Sequence, residues 1–307
     1  MPPDFTDDPP SERQTLSFLL RRFQQAGIRP RTDLGQNFMI DLNLQRVLLE
    51  TAEIGPDDVV LEVGTGTGGL TMQMAPLAAA VVSVEIDRDL YQLAGEELFQ
   101  FPNVTLLHTD VLRSKSRLEP AVLETVQRQL DAGPGRRLKL VANLPYSIAT
   151  PLISNLLDLD VPPATMTVTV QKEVADRMVA APGVKDYGAL AVWVQCQCRA
   201  EIVRILAPTV FWPRPKVSSA FVQIALDEAL RRRIPDRSFF HTFVRSMFCH
   251  RRKVLRSELL NSQKTLDKTR IDALLARVGI QPTLRAEQLG PDEMLRLCEA
   301  VRAEIAG

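Results

Sequence analysis

Cysteine and histidine are scarce in this chain of 307 residues, which has four of the former and three of the latter. There is no C-x-x-C pair, so we expect no zinc site and predict no bound metal. Cys196 and Cys198 form C-x-C in a run predicted to be a strand, which would place both side chains on one face. Reduced thiols of a cytosolic protein are the expected state.

Long apolar segments are also missing. No run approaches the roughly 20 residues that a membrane-spanning helix needs. The acidic, proline-rich start MPPDFTDDPP has neither the apolar region of a signal peptide nor the arginines of a transit peptide. We therefore expect a cytoplasmic protein without a membrane partner. Residues 1–30 are predicted to form a flexible lead-in and a helix with one apolar face, made of Leu16, Leu19, Leu20 and Phe23.

The net charge of the chain is zero, but the charged residues are unevenly distributed. From residue 229 to the end there are 16 Lys and Arg against 9 Asp and Glu, whereas the first 228 residues have 21 against 28. Nine cations and a single acid lie between Arg231 and Arg256. An acidic front joined to a basic tail is typical of a protein with an anionic partner at one end.

Apolar runs alternate with helix-like segments between residues 59 and 226. The runs predicted to be strands are VVLEV, AVVSVEI, VTLLH, LKLVA, ATMTVTV, ALAVWVQC and SAFVQIAL. Nearly continuous apolar runs indicate strands that are covered on both faces, so this alternation predicts an α/β domain with a mostly parallel sheet. A further helix is expected to begin near Asp41, and only helices are predicted after residue 230.

The first strand is followed by EVGTGTGG, in which Gly64, Gly66 and Gly69 match G-x-G-x-x-G. Glycines leave the backbone uncovered, so a nucleotide-like cofactor can approach it closely. A purely structural tight turn is the alternative for this loop. The next two strands end in VEID and LLHTD, which place Glu85 where it can bind a ribose and Asp110 where it can bind an adenine amine. An NAD enzyme could share the first two features, whereas Asp110 favours S-adenosylmethionine.

The fourth strand ends in NLPYS, at the carboxyl edge where open α/β sheets bind their ligands. Leu144 precedes Pro145, which restricts where its carbonyl points. The Asn143 oxygen and the Leu144 carbonyl are thus two oriented acceptors, and Tyr146 adds a flat aromatic face. This group suits a planar base that carries an amino group. A capped strand end with a packed tyrosine is the structural alternative.

The chemistry that follows is methylation of an adenine amine. That amine is a poor nucleophile because its lone pair is delocalised, and acceptors on its two hydrogens favour a pyramidal nitrogen that can attack a methyl sulfonium. Positioning and desolvation then suffice, without a metal or a strong base. A paired base could not enter such a pocket, so the target must be unpaired or flipped out.

Taken together, the motifs resemble the ribosomal RNA adenine N6-dimethyltransferases, the small-subunit KsgA/Dim group and more distantly the Erm resistance enzymes. The resemblance covers Arg31 to the C-terminus. The blocks that carry it are LGQNFMID, EVGTGTGGLT, VEIDRDL, NLPYSI, QKEVADRM and FWPRPKVSSA. It implies a Rossmann-like S-adenosylmethionine-dependent methyltransferase sheet at 31–229 and a smaller all-helical RNA-binding domain at 230–307.

The resemblance also implies roles for single residues. Phe211 would close the side of the target adenine opposite Tyr146, although the residue pattern alone suggests a core position equally well. With Asn143, Leu144 and Pro145 these two are the predicted catalytic residues. The residues implied to bind the cofactor are Asn37, Met39, Gly64, Gly66, Glu85, Ile86, Asp110, Val111 and Asn143. The serine at 147 where many relatives have asparagine, and GTGTG in place of GPGxG, are departures that we expect to be tolerated.

The basic run HRRKVLR is predicted to place Arg252 and Arg256 on one helical face, beside Lys253. A solvated charged face is the alternative, but the resemblance favours contacts with ribosomal RNA. We expect Arg251, Arg252, Lys253 and Arg256 to bind phosphates and so to add affinity rather than chemistry.

The predicted function is dimethylation of two adjacent adenines near the 3′ end of 16S RNA within the small subunit, coupled to subunit assembly, by a monomer. A large-subunit enzyme of the Erm kind is one alternative, although NLPY and the long tail argue against it. A non-catalytic assembly factor is another. A DNA methyltransferase would more typically have NPPY or DPPY and ranks low, and an NAD dehydrogenase would leave NLPY unexplained.

Overall fold

The structure, a computed structural model, describes residues 15–31 and 34–306. The predicted flexible lead-in therefore lies largely outside the described residues. By the proximity of their Cα atoms, the residues form two compact units. Of the described residues, the first unit contains those up to 172 together with 202–224, and the second contains 173–201 together with those from 225 onward. The boundary at residue 229 between the catalytic and the RNA-binding part stays a prediction.

The first unit begins with alternating helices and strands. Its elements to the end of the fifth sheet strand are α1 Leu16–Ala26, β1 Phe38–Met39, α2 Leu42–Ala52, β2 Asp58–Val63, α3 Gly69–Met74, β3 Ala80–Glu85, α4 Arg88–Leu98, β4 Val104–His108, β5 Leu112–Ser114, β6 Arg117–Leu118, α5 Pro120–Asp131, β7 Arg137–Asn143, α6 Ala149–Asp158 and β8 Thr165–Gln171. The remaining elements are α7 Lys172–Val179, α8 Ala189–Gln195, β9 Cys198–Leu206, β10 Phe211–Trp212, β11 Ser219–Leu226, α9 Glu228–Arg231, α10 Arg237–Met247, α11 Leu255–Ser262, α12 Lys268–Arg277 and α13 Pro291–Ala306.

The main sheet has seven strands in the order β4-β3-β2-β7-β8-β11-β9. The pairings from β4 to β8 are all parallel, for example Leu61 opposite Val82 in the β2–β3 pair. Strands β2 and β3 are buried along their whole length, as their continuous apolar character predicts. The strand order reverses between β2 and β7, where α/β folds of this kind bind ligands. The predicted fold class is confirmed.

Helix starts follow the side chains that cap them. Asp41 accepts hydrogen bonds from the amides of Asn43 and Leu44 at the start of α2, which begins where the sequence predicts. Thr15 caps α1, and Gly27 ends it with φ +68°. The apolar face of α1 differs from the predicted one, because Leu16 and Leu20 are exposed.

One predicted strand is wrong. The segment ALAVWVQ is the helix α8, whose Trp193 packs on the ring of His241 in α10 with 4.4 Å between centroids. A short run that is apolar on all sides fits a buried helix as well as a buried strand, so its period does not decide between them. Cys196 ends this helix and Cys198 begins β9, so the C-x-C pair does not lie within one strand.

The predicted helices after residue 230 are confirmed, with α9 to α13 in the second unit. All four cysteines are free thiols. Within residues 15–31 and 34–306, no group of three or more His, Cys, Asp or Glu residues could hold a metal ion. In the same part of the chain, each helix is too short or too polar to cross a membrane.

Candidate active site

A cavity of about 260 Å³ lies in the first unit, at the carboxyl ends of β2, β3, β4 and β7. It combines residues that are more than 100 positions apart in the chain. Those on its wall that the sequence singles out are Asn37, Met39, Gly64, Gly66, Glu85, Ile86, Asp110, Val111, Asn143, Leu144, Pro145 and Tyr146. The structure thus brings every residue predicted to bind the cofactor, and four of those predicted to bind the target base, into one cleft.

The glycine loop has a backbone that only glycine adopts without strain. Gly64 has φ +86°, and a Cβ there would lie 3.3 Å from the ring of Pro145. Gly66 has φ +59°, and a Cβ would lie 3.1 Å from the ring of Phe38. These glycines therefore let the loop pack directly on the NLPY segment and on β1, while their own amides donate to the carbonyl of Val84 and to Glu85.

Glu85 is oriented by two backbone amides. Its Oε2 accepts a hydrogen bond of 2.9 Å from Gly66 N, and its Oε1 accepts one of 2.9 Å from Asp87 N. Burial raises the pKa of this carboxyl, and the bonds from Asp87 and Gly66 oppose the shift. Each carboxylate oxygen has a second lone pair, so both can accept a further bond from a diol.

The far end of the cleft combines an acid with an apolar surface. Asp110 Oδ1 accepts a hydrogen bond of 2.8 Å from Leu112 N, which fixes the carboxylate at the cavity wall. Ile86 is 46% exposed although it follows a buried strand, and Val111, which also lines the cavity, is buried. An exposed isoleucine beside a carboxylate suits a flat heterocycle that carries an amine.

The amide of Asn143 has one possible orientation. Its Nδ2 donates a hydrogen bond of 2.8 Å to the carbonyl of Asn37. Because a carbonyl can only accept, the atom that faces Asn37 must be the nitrogen, and the Oδ1 of Asn143 is left as an acceptor. The backbone beside it is fixed as well, since Leu144 N donates to Thr169 O at 3.2 Å.

Tyr146 is held at its hydroxyl end. The hydroxyl lies 2.6 Å from Oγ of Ser219, which is fully buried at the start of β11. Burial raises the pKa of the phenol, so Tyr146 is neutral. Its half-buried ring forms part of the cavity wall, and its hydroxyl is the polar end of the side chain. This bond joins the NLPYSI block to the FWPRPKVSSA block, a link that the sequence analysis missed because the two residues are 73 positions apart.

Phe211 occupies a core position, one of the two expectations from the sequence. It is 2% exposed and belongs to a core cluster with Leu48 and Phe221. Its backbone pairs with Met39 in the short β1–β10 ladder. Among the described residues on the cavity wall Phe211 does not occur, so the structure favours the core position, and its contact with a target base stays a prediction.

Glu62 also lines the cavity and was not predicted. Its Oε2 accepts hydrogen bonds from the hydroxyls of Thr71 at 2.5 Å and Ser83 at 2.6 Å. Burial raises the pKa of Glu62 to about 7, the two hydroxyls oppose that shift, and the charge of Glu85 adds to it. A carboxyl inside the otherwise apolar run VVLEV is the sequence signal that could have identified it.

The basic run of the second unit differs from the prediction. Residues 250–253 form turns, and α11 begins only at Leu255, so Arg252 and Arg256 do not share a helical face. Arg251 binds Glu287 at 3.0 Å and the carbonyls of Lys185 and Tyr187.

Arg256 lies 2.6 Å from the carboxylate of Asp272, so it also has an internal partner. Within the part of the chain that the structure describes, Arg252 and Lys253 make no ion pair. Val254 forms a bridge with Arg285, which brings a third exposed cation beside these two.

The parallel sheet, the glycine loop and the carboxylates at successive strand ends define a Rossmann-like methyltransferase. The model of the family described as ribosomal RNA adenine dimethylase matches residues 27–302. This chain belongs to that family. The assignment confirms the predicted reaction class, the ribosomal RNA substrate and S-adenosylmethionine as the cofactor.

Relatives of known name are similar over nearly the whole chain. A protein named ribosomal RNA small subunit methyltransferase A from Caldanaerobacter subterraneus subsp. tengcongensis is 40% identical over 269 residues, which cover 87% of this chain and 95% of that protein. A protein of the same name from Lactiplantibacillus plantarum is 40% identical over 278 residues, covering 90% and 91% of the two chains.

Solved structures are similar at the level of the fold. A dimethyladenosine transferase from Plasmodium falciparum superimposes with a TM-score of 0.68 at 22% identity, covering 84% of this chain and 94% of that one. The 23S rRNA methyltransferase ErmE superimposes with a TM-score of 0.59 at 26% identity, covering 86% and 99%.

Proposed function

We propose that this protein dimethylates the N6 amines of two adjacent adenines near the 3′ end of 16S RNA in the small ribosomal subunit. The observation that carries the proposal is the fixed amide of Asn143, whose oxygen is left as an acceptor in the cavity that Tyr146 also lines. The small-subunit target is supported by the relatives named ribosomal RNA small subunit methyltransferase A.

The cofactor fits the residues of the cleft. Glu85 offers two oriented acceptors for a ribose, and Ile86 and Asp110 suit an adenine. S-adenosylmethionine supplies an electrophilic methyl group on a sulfonium when it is bound. The same cavity is lined by Gly64, Gly66, Asn37 and Met39.

The protein's own residues then prepare the target amine. Tyr146, fixed by Ser219, stacks on the adenine and excludes water from one face. The Oδ1 of Asn143 and the Leu144 carbonyl accept the two amine hydrogens, which shifts the lone pair out of the ring plane. Geometry of this kind lowers the barrier by positioning, without a strong base.

The test uses purified protein, labelled cofactor and small subunits from cells that lack the modification, followed by nucleoside analysis. Large subunits and protein-free small-subunit RNA are treated in parallel. Dimethyladenine in the small-subunit particle is the expected result. Label confined to large-subunit RNA would instead favour a 23S target, as in the name of the 23S rRNA methyltransferase ErmE. An absence of label with binding intact would favour the assembly-factor alternative.

We further propose a cytoplasmic monomer whose catalytic part is residues 31–229 and whose RNA-binding part is 230–307. Size-exclusion chromatography coupled to light scattering tests the monomeric state, for which a mass of 34.3 kDa is expected. A mass near twice that value would overturn it. Photocrosslinking to the small subunit tests the assignment of RNA binding to residues 230–307, and crosslinks are expected at Arg252 and Lys253.

A further inference from the structure

The hairpin of β5 and β6 carries an exposed group of cations in the acidic part of the chain. Arg113, Lys115 and Arg117 lie within five residues that include no acid. All three side chains are exposed, and within residues 15–31 and 34–306 none of them makes an ion pair. We propose that this hairpin binds the phosphate backbone of the RNA beside the target adenine, an inference that rests on the proposed function.

The hairpin is attached to the cavity at its base. Leu112 N donates to Asp110 Oδ1 at 2.8 Å, and Glu119 N donates to the carbonyl of Val111 at 2.9 Å. Asp110 and Val111 both line the cavity, and Leu118 is buried behind the second strand. The position of the three cations is therefore coupled to the wall of the cofactor site rather than to a free loop.

The tip of the hairpin is attached on the side of the target base. Asn155 in α6 donates from Nδ2 to the carbonyl of Lys115 at 3.3 Å. Helix α6 begins at Ala149, just after Tyr146, and six residues of helix span about 9 Å. The cations are thus within reach of nucleotides that flank a base held against Tyr146.

Charge explains why the occupant is a polyanion. Some other exposed cations of the first unit have internal partners, such as Arg46 with Glu50 and Arg137 with Asp58. The three like charges lie within five residues and repel one another in the free protein. RNA phosphates remove that repulsion, and a flipped-out base needs backbone contacts that fix its register.

The test measures how binding to undermethylated small subunits depends on salt. The triple variant Arg113→Gln, Lys115→Gln, Arg117→Gln is compared with wild type at several salt concentrations. Since each phosphate contact contributes about 0.7 to 0.9 to the slope of log affinity against log salt, the variant should lose roughly 2 to 3 in slope. The Kd for the cofactor, measured by calorimetry without RNA, should be unchanged.

A matched control removes three positive charges from residues that do not line the cavity. It replaces by glutamine three cations in α2 and around the C-terminal end of α5, namely Arg46, Arg128 and Arg136. The control should retain the wild-type slope. Equal slopes for wild type and the hairpin variant would overturn the inference, and so would a weaker affinity with an unchanged slope, which indicates a protein contact. Failure of wild type to methylate small subunits would overturn the proposed function instead.

Discussion

The cleft of the first unit and the basic run of the second unit treat their polar groups differently. In the cleft, the bonds that Glu85 accepts and the bond that Asn143 donates use only part of each side chain, and acceptors remain on these two cavity-lining residues. In the basic run, Arg251 and Arg256 are engaged with carboxylates of their own unit. Internal bonds thus leave acceptors unused in the cleft, whereas in the basic run they pair two cations within their own unit.

The largest effect is expected from Asn143→Ala. Removal of one positioned hydrogen-bonding side chain from an active site can cost about 100-fold to 1,000-fold in rate, so dimethyladenine formation should fall by at least about 100-fold. The measurement is single-turnover methylation of small subunits with saturating cofactor. Asn43→Ala, at an exposed asparagine of α2, is the control and should retain full activity. An Asn143→Ala variant with near wild-type rate would remove the central role assigned to this amide.

Glu62→Gln is expected to change the pH dependence of stability. The folded-state pKa of about 7 lies above the ordinary value of 4.5, so the contribution of this group is fully present below pH 4.5 and is lost as the pH rises through 7. The shift corresponds to about 3 kcal/mol between pH 4.5 and pH 8. Glutamine cannot ionise. Between pH 4.5 and pH 8, the free energy of unfolding of the variant should therefore rise relative to that of wild type by an amount of that order.

Denaturant unfolding at a series of pH values checks this expectation, with Glu124→Gln as the exposed control. Parallel stability curves for wild type and Glu62→Gln would mean that Glu62 ionises in the folded state without a penalty. The cleft would then be more hydrated than its burial indicates.

Ser219→Ala should cost about tenfold in methylation rate. Without its partner the Tyr146 hydroxyl loses its anchor, and a loss of roughly 1.4 kcal/mol is typical for one positioned hydrogen bond. Tyr146→Phe should give a similar loss, and the double variant should be no worse than either single one. The ratio of monomethyladenine to dimethyladenine should rise in all three. Additive losses would indicate that the two residues act separately.

The sequence predicts features of the site that depend on the order of the strands, and it does not predict contacts between distant residues. Strand ends are placed by the topology of the sheet, so Glu85, Asp110 and Asn143 meet at one edge as the alternating pattern predicts. Contacts between residues far apart in the chain leave no local signal, so the bond between Tyr146 and Ser219 could not be predicted from periodicity.

The basic run illustrates the limit for charge patterns. A cation count says nothing about partners in other elements, and Glu287 is 36 residues from Arg251. The position of Phe211 has a similar cause, since an aromatic residue after a loop fits a core and a ligand site equally well until the β1–β10 pairing is known. The buried helix α8 was mistaken for a strand because both are apolar throughout.

The smallest effects should separate Arg251 from Arg252. Arg251→Lys keeps the charge but loses the fork that binds Glu287 and two carbonyls, so it should lower stability by about 1 kcal/mol and the Tm by about 2 °C. Arg252→Gln should leave the Tm unchanged and reduce the salt slope of small-subunit binding by about 0.7 to 0.9. Thermal unfolding and salt titration of both variants check this division. The opposite outcome, with Arg251→Lys stable but weakly bound to RNA, would mean that the bonds of Arg251 open when RNA binds, and that both regions orient their groups for a ligand.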